Sequence, residues 1–323
     1  MLDRTSDPSI PFIGSRIVQP GMYSRVPMRR YHSADICDGP SVSSSGLRTI
    51  VGKSLKHFYA RSALNPQRRE DATEKRHFIL GRAVHHLVLG EASFTKLFVE
   101  QPAEYDSGKG WKPWSNHANI CKRWNEEQRR RGKTPLKPDE IERIRAMMLS
   151  LAQEPFVTNG NLNGAIERSF FWQDRRTRIW LKARPDVVPW DSNDANDLKI
   201  TRSTDFLDCQ AAIGIGRRGY GYIQQGALIA EAWRRVLGRE MNAFTLVFIE
   251  HEYPHDVRVM EIEKEDLKRG HDLNEYALDR LWKALKNQEW PGRAGIATHV
   301  QSLGLSDRDR EYVDNIIKLG AIN

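Results

Sequence analysis

Two acidic residues and a lysine in the middle of the chain have the types and spacing of a hydrolytic centre. Asp197 is followed two residues later by Lys199, and Asp186 follows an Arg-Pro pair upstream. Side chains two residues apart in a strand leave the same face, so Asp197 and Lys199 would share one side of a sheet. If the strand that ends near Asp186 pairs with theirs, both carboxylates converge on one point. Glu167 opens an earlier hydrophobic run, which we expect to be a strand, and is a further acid nearby.

Two carboxylates in close reach repel each other and cannot both ionise cheaply without a cation. Their hard oxygen atoms suit Mg²⁺, for which Mn²⁺ could substitute, and such ions commonly bind carboxylates together with phosphate and water. The cation would lower the pKa of a bound water, and Lys199 would orient that water or stabilise the developing negative charge. We therefore predict a metal-dependent phosphodiesterase centre. The alternative is that Asp186 is a turn residue and that Asp197 and Lys199 form a surface ion pair.

The elements that must position these residues follow from the hydrophobic periodicity. Serines at 43–45 offer N-cap hydroxyls for a first helix. The next helix, over 78–89, is apolar over most of its surface and should be largely buried. It carries His85 and His86, although a histidine on such a helix is more often a core residue than a ligand. The other predicted elements are strands over 179–188, 244–249 and 257–262, a short strand ending at 199, and helices over 138–153, 222–237 and 263–287. This order describes an α/β fold in which helices flank a central mixed sheet.

Composition narrows the class of partner and of site. The 323 residues include 50 Lys and Arg against 42 Asp and Glu, a net charge of +8 that favours a polyanionic partner such as nucleic acid. The three cysteines are scattered and form no CxxC pair, which excludes a zinc ribbon or a four-cysteine iron–sulfur cluster and fits a reducing cytoplasm. No signal peptide and no apolar run of membrane-spanning length occurs, so we expect a soluble protein with no membrane partner.

The chain divides into three segments by pattern. Residues 1–40 show no period and are expected to form a flexible N-terminal arm, whose arginines could lie near DNA or simply be solvated. Residues 41–292 form the predicted catalytic domain, and residues 293–323 a C-terminal extension with one short helix. Within the domain, the segment 101–137 interleaves tryptophans with Lys and Arg. That pattern suits a surface that stacks on bases, or equally an exposed loop with one or two tryptophans in the core.

Several motifs together carry a resemblance to a known family. They are SVSSSGLRTIVGKSLKHFY, LGRAVHHLVLG, ERSFFW, KARPD, DLK and GYIQQGA, in that order over about residues 41–290. The RPD and DLK elements resemble the PD-(D/E)xK nuclease signature, which is loose by itself. The ordered set is more specific and resembles the phage and prophage exodeoxyribonuclease VIII (RecE-type) family. The resemblance implies a PD-(D/E)xK, restriction-endonuclease-like core.

The resemblance also implies roles for individual residues. It makes His85 a metal ligand, which reverses the expectation for a histidine on an apolar helix, and it makes Lys199 the catalytic lysine. Tyr222 and Gln225 would contact DNA or the scissile phosphate, and Glu167 would bind a second cation or cap the site. The complete set of implied metal ligands is His85, Asp186, Asp197 and the carbonyl of Leu198. Two departures from the family pattern are Ile200-Thr201 after DLK, where two threonines are usual, and Arg178, where a glycine is usual in the first hairpin.

The function that the resemblance implies is a Mg²⁺-dependent exodeoxyribonuclease that degrades one strand of linear duplex DNA in the 5′ to 3′ sense. It would leave 3′ single-stranded tails for phage-type recombination in the cytoplasm of a bacterial host. Its implied partners are double-stranded DNA ends, a RecT-like strand-annealing protein and further copies of the chain in a ring-like homo-oligomer. Two alternatives stay open: a structure-specific endonuclease or CRISPR-associated-type nuclease on the same core, and a catalytically inactive DNA-binding assembly protein. The missing cysteine cluster disfavours the CRISPR-associated type.

Overall fold

The structure is a computed structural model that describes residues 7–69, 76–90, 94–216, 219–293 and 302–320. Its contacts divide the chain into two compact units, Met1–Trp290 and Pro291–Asn323. None of the described helices is both long enough and apolar enough to span a membrane.

The strands are, in chain order, Ile10–Pro11 (β1), Gly21–Ser24 (β2), Ser41–Ser43 (β3), Phe98–Glu100 (β4), Glu104–Asp106 (β5), Trp111–Pro113 (β6), Thr134–Leu136 (β7), Gly164–Ile166 (β8), Ser169–Gln173 (β9), Trp180–Ala183 (β10), Val187–Pro189 (β11), Ala195–Thr201 (β12), Phe244–Glu250 (β13) and Val257–Glu261 (β14).

The helices are Met28–Tyr31 (α1), Ser44–Gly52 (α2), Leu55–Arg61 (α3), Arg76–Leu89 (α4), Phe94–Leu97 (α5), Asn119–Arg130 (α6), Pro138–Leu151 (α7), Pro155–Thr158 (α8), Phe206–Ile213 (α9), Tyr222–Ala232 (α10), Lys264–Asn287 (α11) and Asp307–Gly320 (α12). A π-helical turn, Trp233–Leu237, continues α10.

Two five-stranded sheets organise the first unit. Their strand orders are β1-β2-β9-β10-β3 and β14-β13-β12-β11-β8. In the second sheet β12 pairs with β13 in parallel and with β11 in antiparallel fashion, so the sheet is mixed. The prediction of an α/β fold with a mixed sheet flanked by helices is confirmed, although the described residues form two five-stranded sheets rather than one central sheet.

The second sheet is covered on both faces, as the apolar run of β13 predicts. Leu246 and Phe248 pack in one core with residues of α2, α10 and α11. Val247 and Ile249 point the other way, into a core with residues of α4 and α7. The site between β11 and β12 can therefore receive side chains from helices on either face.

The predicted strand over 179–188 is wrong as a single element. It is divided between β10 of the first sheet and β11 of the second, and Arg184, Pro185 and Asp186 connect them. A proline fixes φ, lacks a donor for the ladder and restricts the residue before it, so the strand ends there. Glu167 does not open a strand either, because it lies between β8 and β9 with a left-handed φ of 48°.

The prediction of a flexible arm over residues 1–40 is wrong for the part that the structure describes. Strand β2 pairs with β9 in the first sheet, and Met22 and Tyr23 are buried. Tyr31 and Ile36 pack with Phe171 in a small core of their own. The segment shows no clear period because its strands are only two to four residues long. In the second unit, α12 lies within the predicted C-terminal extension.

Candidate active site

Strands β11 and β12 bring the two predicted acids side by side. Val187 pairs with Asn196 in antiparallel register. Continuing that register by one residue sets Asp186 opposite Asp197, on the two neighbouring strands. The N–H of Leu198 donates to Oδ2 of Asp186 at 2.8 Å and holds that carboxylate at the end of the strand. The convergence that spacing predicted is therefore present, although the first strand is much shorter than expected.

His85 reaches this pair from α4, on the helical layer beside the sheet. Its Nδ1 lies 3.4 Å from Oδ1 of Asp186. Burial works against a charged imidazole, but the Asp186 carboxylate outweighs it and raises the pKa of His85. Burial also works against the charged form of Asp186, but the neighbouring His85 outweighs the effect of burial and lowers the pKa of Asp186. The adjacent His86 instead packs near the Phe98 ring, with centroids 6.0 Å apart.

Asp197 is the most deeply buried acid of the site, with only 1% of its surface exposed. Its Oδ2 forms an ion pair with Nζ of Lys199, and its Oδ1 accepts a hydrogen bond from Nε2 of Gln225 at 3.0 Å. Burial, reinforced by the charge of Asp186, raises the pKa of Asp197. Burial disfavours the Lys199 ammonium, yet the Asp197 carboxylate outweighs it and raises the pKa of Lys199.

Helix α10 places an aromatic ring over the lysine. Nζ of Lys199 lies 4.7 Å from the centroid of the Tyr222 ring, at the distance of a cation–π contact. The guanidinium of Arg48, from α2, lies 5.9 Å from the same centroid and donates to the Tyr220 carbonyl at 2.8 Å. Tyr222 and Gln225 are three residues apart, so they share one face of α10 and meet the site together. The structure thus brings together every predicted side chain except that of Glu167.

Glu167 belongs to a neighbouring ion pair and not to the acid pair itself. Its carboxylate pairs with Arg184, whose guanidinium also donates to the Val26 carbonyl at 2.9 Å. The backbone N–H of Glu167 donates to the carbonyl of Asp186 at 3.0 Å. The contacts of Glu167 therefore position the chain around Asp186 rather than supply an oxygen to the centre.

Arg48 is the residue of the site that reasoning from the sequence missed. It lies within the first motif that carries the resemblance, four residues into α2, but no spacing rule links it to the acids. Together with the N-terminal serines of α2, Arg48 lines a cavity of about 190 Å³, which we call the first cavity. Glu167, Asp186 and Gln225 also line this cavity. Oε1 of Gln225 is buried there and has no hydrogen-bond partner among the described residues.

The donor set suits a divalent cation, since it combines two carboxylates with an imidazole around one point. Among the described residues, a different set of three His and Glu side chains already has its ligand atoms within 4.8 Å of one another: Glu231, His271 and Glu275. In the predicted set, His85 contacts Asp186, while Asp197 is held by Lys199 and Gln225. A cation would have to compete with that pairing.

Comparison with known proteins shows which fold and which family the chain shares. One crystal structure, of a "putative exonuclease" from Eubacterium rectale, superposes with a TM-score of 0.56 at 13% identity and covers 88% of this chain and 98% of that one. Another, of SSO0001, has 14% identity over 64% of this chain and 87% of that one, but its TM-score of 0.27 carries no argument. No curated protein matches. The family profile described as "PDDEXK-like domain of unknown function (DUF3799)" matches residues 43–302, so the chain belongs to that family within the PD-(D/E)xK nuclease superfamily.

Proposed function

We propose that the protein is a metal-dependent nuclease that hydrolyses phosphodiester bonds of DNA. The observation that carries this proposal is the meeting of Asp186, Asp197, Lys199 and His85 at one point beside a cavity, in a chain of a PDDEXK-like family. An inactive assembly protein would have no need of this buried cluster of charged groups, because removing charges from water costs stability even when they are paired.

The proposed cation ligands are His85, Asp186 and Asp197, with the carbonyl of Leu198 as a further oxygen donor. We propose Mg²⁺, with Mn²⁺ as a substitute, because carboxylate and carbonyl oxygens suit these hard ions. A divalent ion bound there supplies charge neutralisation for the phosphate and lowers the pKa of a bound water. The N–H of Leu198 holds Asp186 in place, and the hydrogen bond from Gln225 does the same for Asp197.

Lys199 is the proposed catalytic lysine. Its raised pKa keeps it a cation at neutral pH, and it lies between the Asp197 carboxylate and the Tyr222 ring. From there it can donate to the attacking water or to an oxygen of the scissile phosphate. Tyr222 and Gln225 are proposed to contact DNA or that phosphate, and the buried Oε1 of Gln225 can accept a hydrogen bond from a water molecule. Glu167 is proposed to cap the site through Arg184.

The finer proposal is an exonuclease of the RecE type. Support comes from the ordered motifs, from the net charge of +8 and from the fold neighbour described as a "putative exonuclease". In that proposal the enzyme acts at the ends of linear duplex DNA, removes one strand in the 5′ to 3′ sense and leaves 3′ tails for recombination. The proposed partners are a RecT-like annealing protein and further copies of the chain, in a bacterial cytoplasm.

The experiment incubates the protein and Mg²⁺ with end-labelled linear duplex DNA and, separately, with covalently closed circular duplex DNA. It tests both the nuclease proposal and the finer exonuclease proposal. An exonuclease shortens the linear DNA progressively from its 5′ ends and leaves the circle intact. Cleavage of the circle would overturn the exonuclease and leave a nuclease. Asp197→Asn should abolish cleavage, whereas Asp272→Asn, which changes an exposed acid of α11, should not. Failure to cut either DNA with Mg²⁺ or Mn²⁺ would overturn the nuclease.

A further inference from the structure

A second cavity, of about 450 Å³, adjoins the first and is not used by the proposed chemistry. It is lined mainly by residues of β3, α2 and α3, with Lys182 of β10, and its lining also includes Lys53 and Arg61. The two cavities share His32, Ser43 and Ser45 in their walls, so they lie next to each other in the first unit. A phosphate group in the second cavity would therefore lie close to a phosphate held at Asp186.

Lys182 is the feature of this cavity that needs an explanation. It belongs to β10, all four residues of which are buried, and only 5% of its surface is exposed. Its Nζ donates to the Tyr31 carbonyl at 2.6 Å and lies 5.1 Å from the centroid of the Tyr31 ring. No carboxylate within the described ranges forms an ion pair with it. Burial lowers the pKa of Lys182 to about 8, so the charged form is held at a cost.

The other charged side chains that line the cavity are also cationic. The lining includes the ammonium group of Lys53, the guanidinium groups of Arg61 and Arg68, and the imidazole of His57. No Asp or Glu is among the described residues that line the cavity. A buried charge without a counter-charge destabilises a fold unless an anion offsets it. Several cations around an enclosed space are also the usual means of binding phosphate groups. The volume lies within the range of small-ligand sites, which is sufficient for a nucleotide.

We propose that the second cavity is a phosphate-binding subsite that holds a nucleotide phosphate next to the one being cleaved. Lys182 forms its floor, and Lys53 and Arg61, both exposed, form its rim. The inference rests on the proposed function for the identity of the ligand. The bound phosphate can belong to the DNA strand that continues from the site or to a free nucleotide released from it, and the chemistry of recognition is the same.

The test measures binding in EDTA, where no cleavage is needed. The probes are a fluorescent 5′-phosphorylated oligothymidylate, followed by anisotropy over a series of salt concentrations, and thymidine monophosphate as its competitor. Arg61→Ala and Lys182→Met should each lower the salt slope of oligonucleotide affinity by about 0.7, the loss expected for one phosphate contact on a single strand. Lys56→Ala is the matched control, since Lys56 is on α3 with Arg61 but does not line the cavity.

Each outcome decides the proposal. If the variants lower only the salt slope of oligonucleotide affinity, the result supports a subsite for the continuing DNA strand. If thymidine monophosphate also competes less well with the variants than with the wild type, the result supports a subsite for the released nucleotide. Unchanged slopes and unchanged competition in Arg61→Ala and Lys53→Ala, which lie on the rim and should fold, would overturn the subsite even if Lys182→Met failed to fold. If the wild-type protein cuts no DNA but the cavity variants still bind the oligonucleotide more weakly than it does, the subsite is retained and the nuclease is rejected. Failure of the subsite and failure of the proposed function are therefore distinguishable.

Discussion

Replacing Lys199 by methionine tests whether the centre is electrostatically balanced as the structure indicates. The substitution keeps the length and much of the apolar contact with Tyr222 but leaves the Asp197 carboxylate without its cation. Removing one partner of a buried ion pair costs about 3–5 kcal/mol. Asp197 retains the hydrogen bond from Gln225 at 3.0 Å and can take up a proton, so we expect the lower end, about 3 kcal/mol of unfolding free energy.

Equilibrium unfolding in urea, followed by tryptophan fluorescence in EDTA at pH 8, gives this free energy. In the Asp197→Asn background no unpaired carboxylate remains, and we expect Lys199→Met to cost about 1 kcal/mol there. The coupling between the two residues should therefore be about 2 kcal/mol. Mg²⁺ should restore part of the loss in Lys199→Met, because a divalent ion can offset the unpaired negative charge that the substitution leaves on Asp197.

The sign of the pH dependence follows from the raised pKa of Asp197. A carboxyl group whose pKa is raised in the folded state binds more protons there than in the unfolded chain, so stability falls as the pH rises above the ordinary carboxyl value. Removing Lys199 raises that pKa further, so the penalty should be smaller at pH 5 than at pH 8. A loss below about 1 kcal/mol at pH 8, no larger than for the exposed control Lys268→Met, would refute the reasoning.

Three further predictions concern the metal, the helix packing and a turn. His85→Ala should raise the Mg²⁺ concentration for half-maximal cleavage by at least about 10-fold, since loss of even an outer partner of a metal ligand weakens metal binding by about 10–100-fold. Because the neighbouring Asp186 raises the pKa of His85, wild-type activity should fall as the pH drops through that pKa. An unchanged metal requirement would remove His85 from the ligand set. Gly270→Ala would set a Cβ 2.2 Å from the Ile223 carbonyl oxygen, so it should lower the free energy of unfolding in urea by about 1–3 kcal/mol. Gly216→Ala is the neutral control, because a Cβ at Gly216 would have nothing within 4 Å. Arg178→Gly should raise stability by up to about 1 kcal/mol, because Arg178 has a left-handed φ of 61° that glycine adopts freely, and a loss in thermal unfolding would contradict this.

The elements with a long and regular pattern could be predicted from the sequence. The buried strand β13, its partner β14 and the helices α7, α10 and α11 lie within a few residues of their predicted bounds. Burial on one or both faces is recorded directly in the spacing of apolar residues, so no tertiary information is needed. Arg178 is a smaller case of the same kind. It stands where the resemblance to the RecE-type family implies a glycine, and its left-handed backbone is the conformation that glycine favours.

The elements whose stability comes from distant partners could not be predicted. The short strand β2 is ordered because β9 supplies its hydrogen bonds, from about 150 residues further along the chain. Pro185 interrupts an apolar run that reads as one strand, and only the pairing of β11 with β8 and β12 shows that its two halves belong to different sheets.

For the candidate site, the sequence by itself determined the chemical groups: two acids and a lysine at strand spacing, in a chain with an excess of positive charge. What only the tertiary structure decided is which distant side chains meet them. His85 is about 100 residues from Asp186, and Arg48 about 170 residues from Tyr222, yet both lie within a few ångströms of their partners. Local spacing records which face a side chain leaves, whereas contacts between elements depend on how sheets and helices pack, and that information is spread over the whole core.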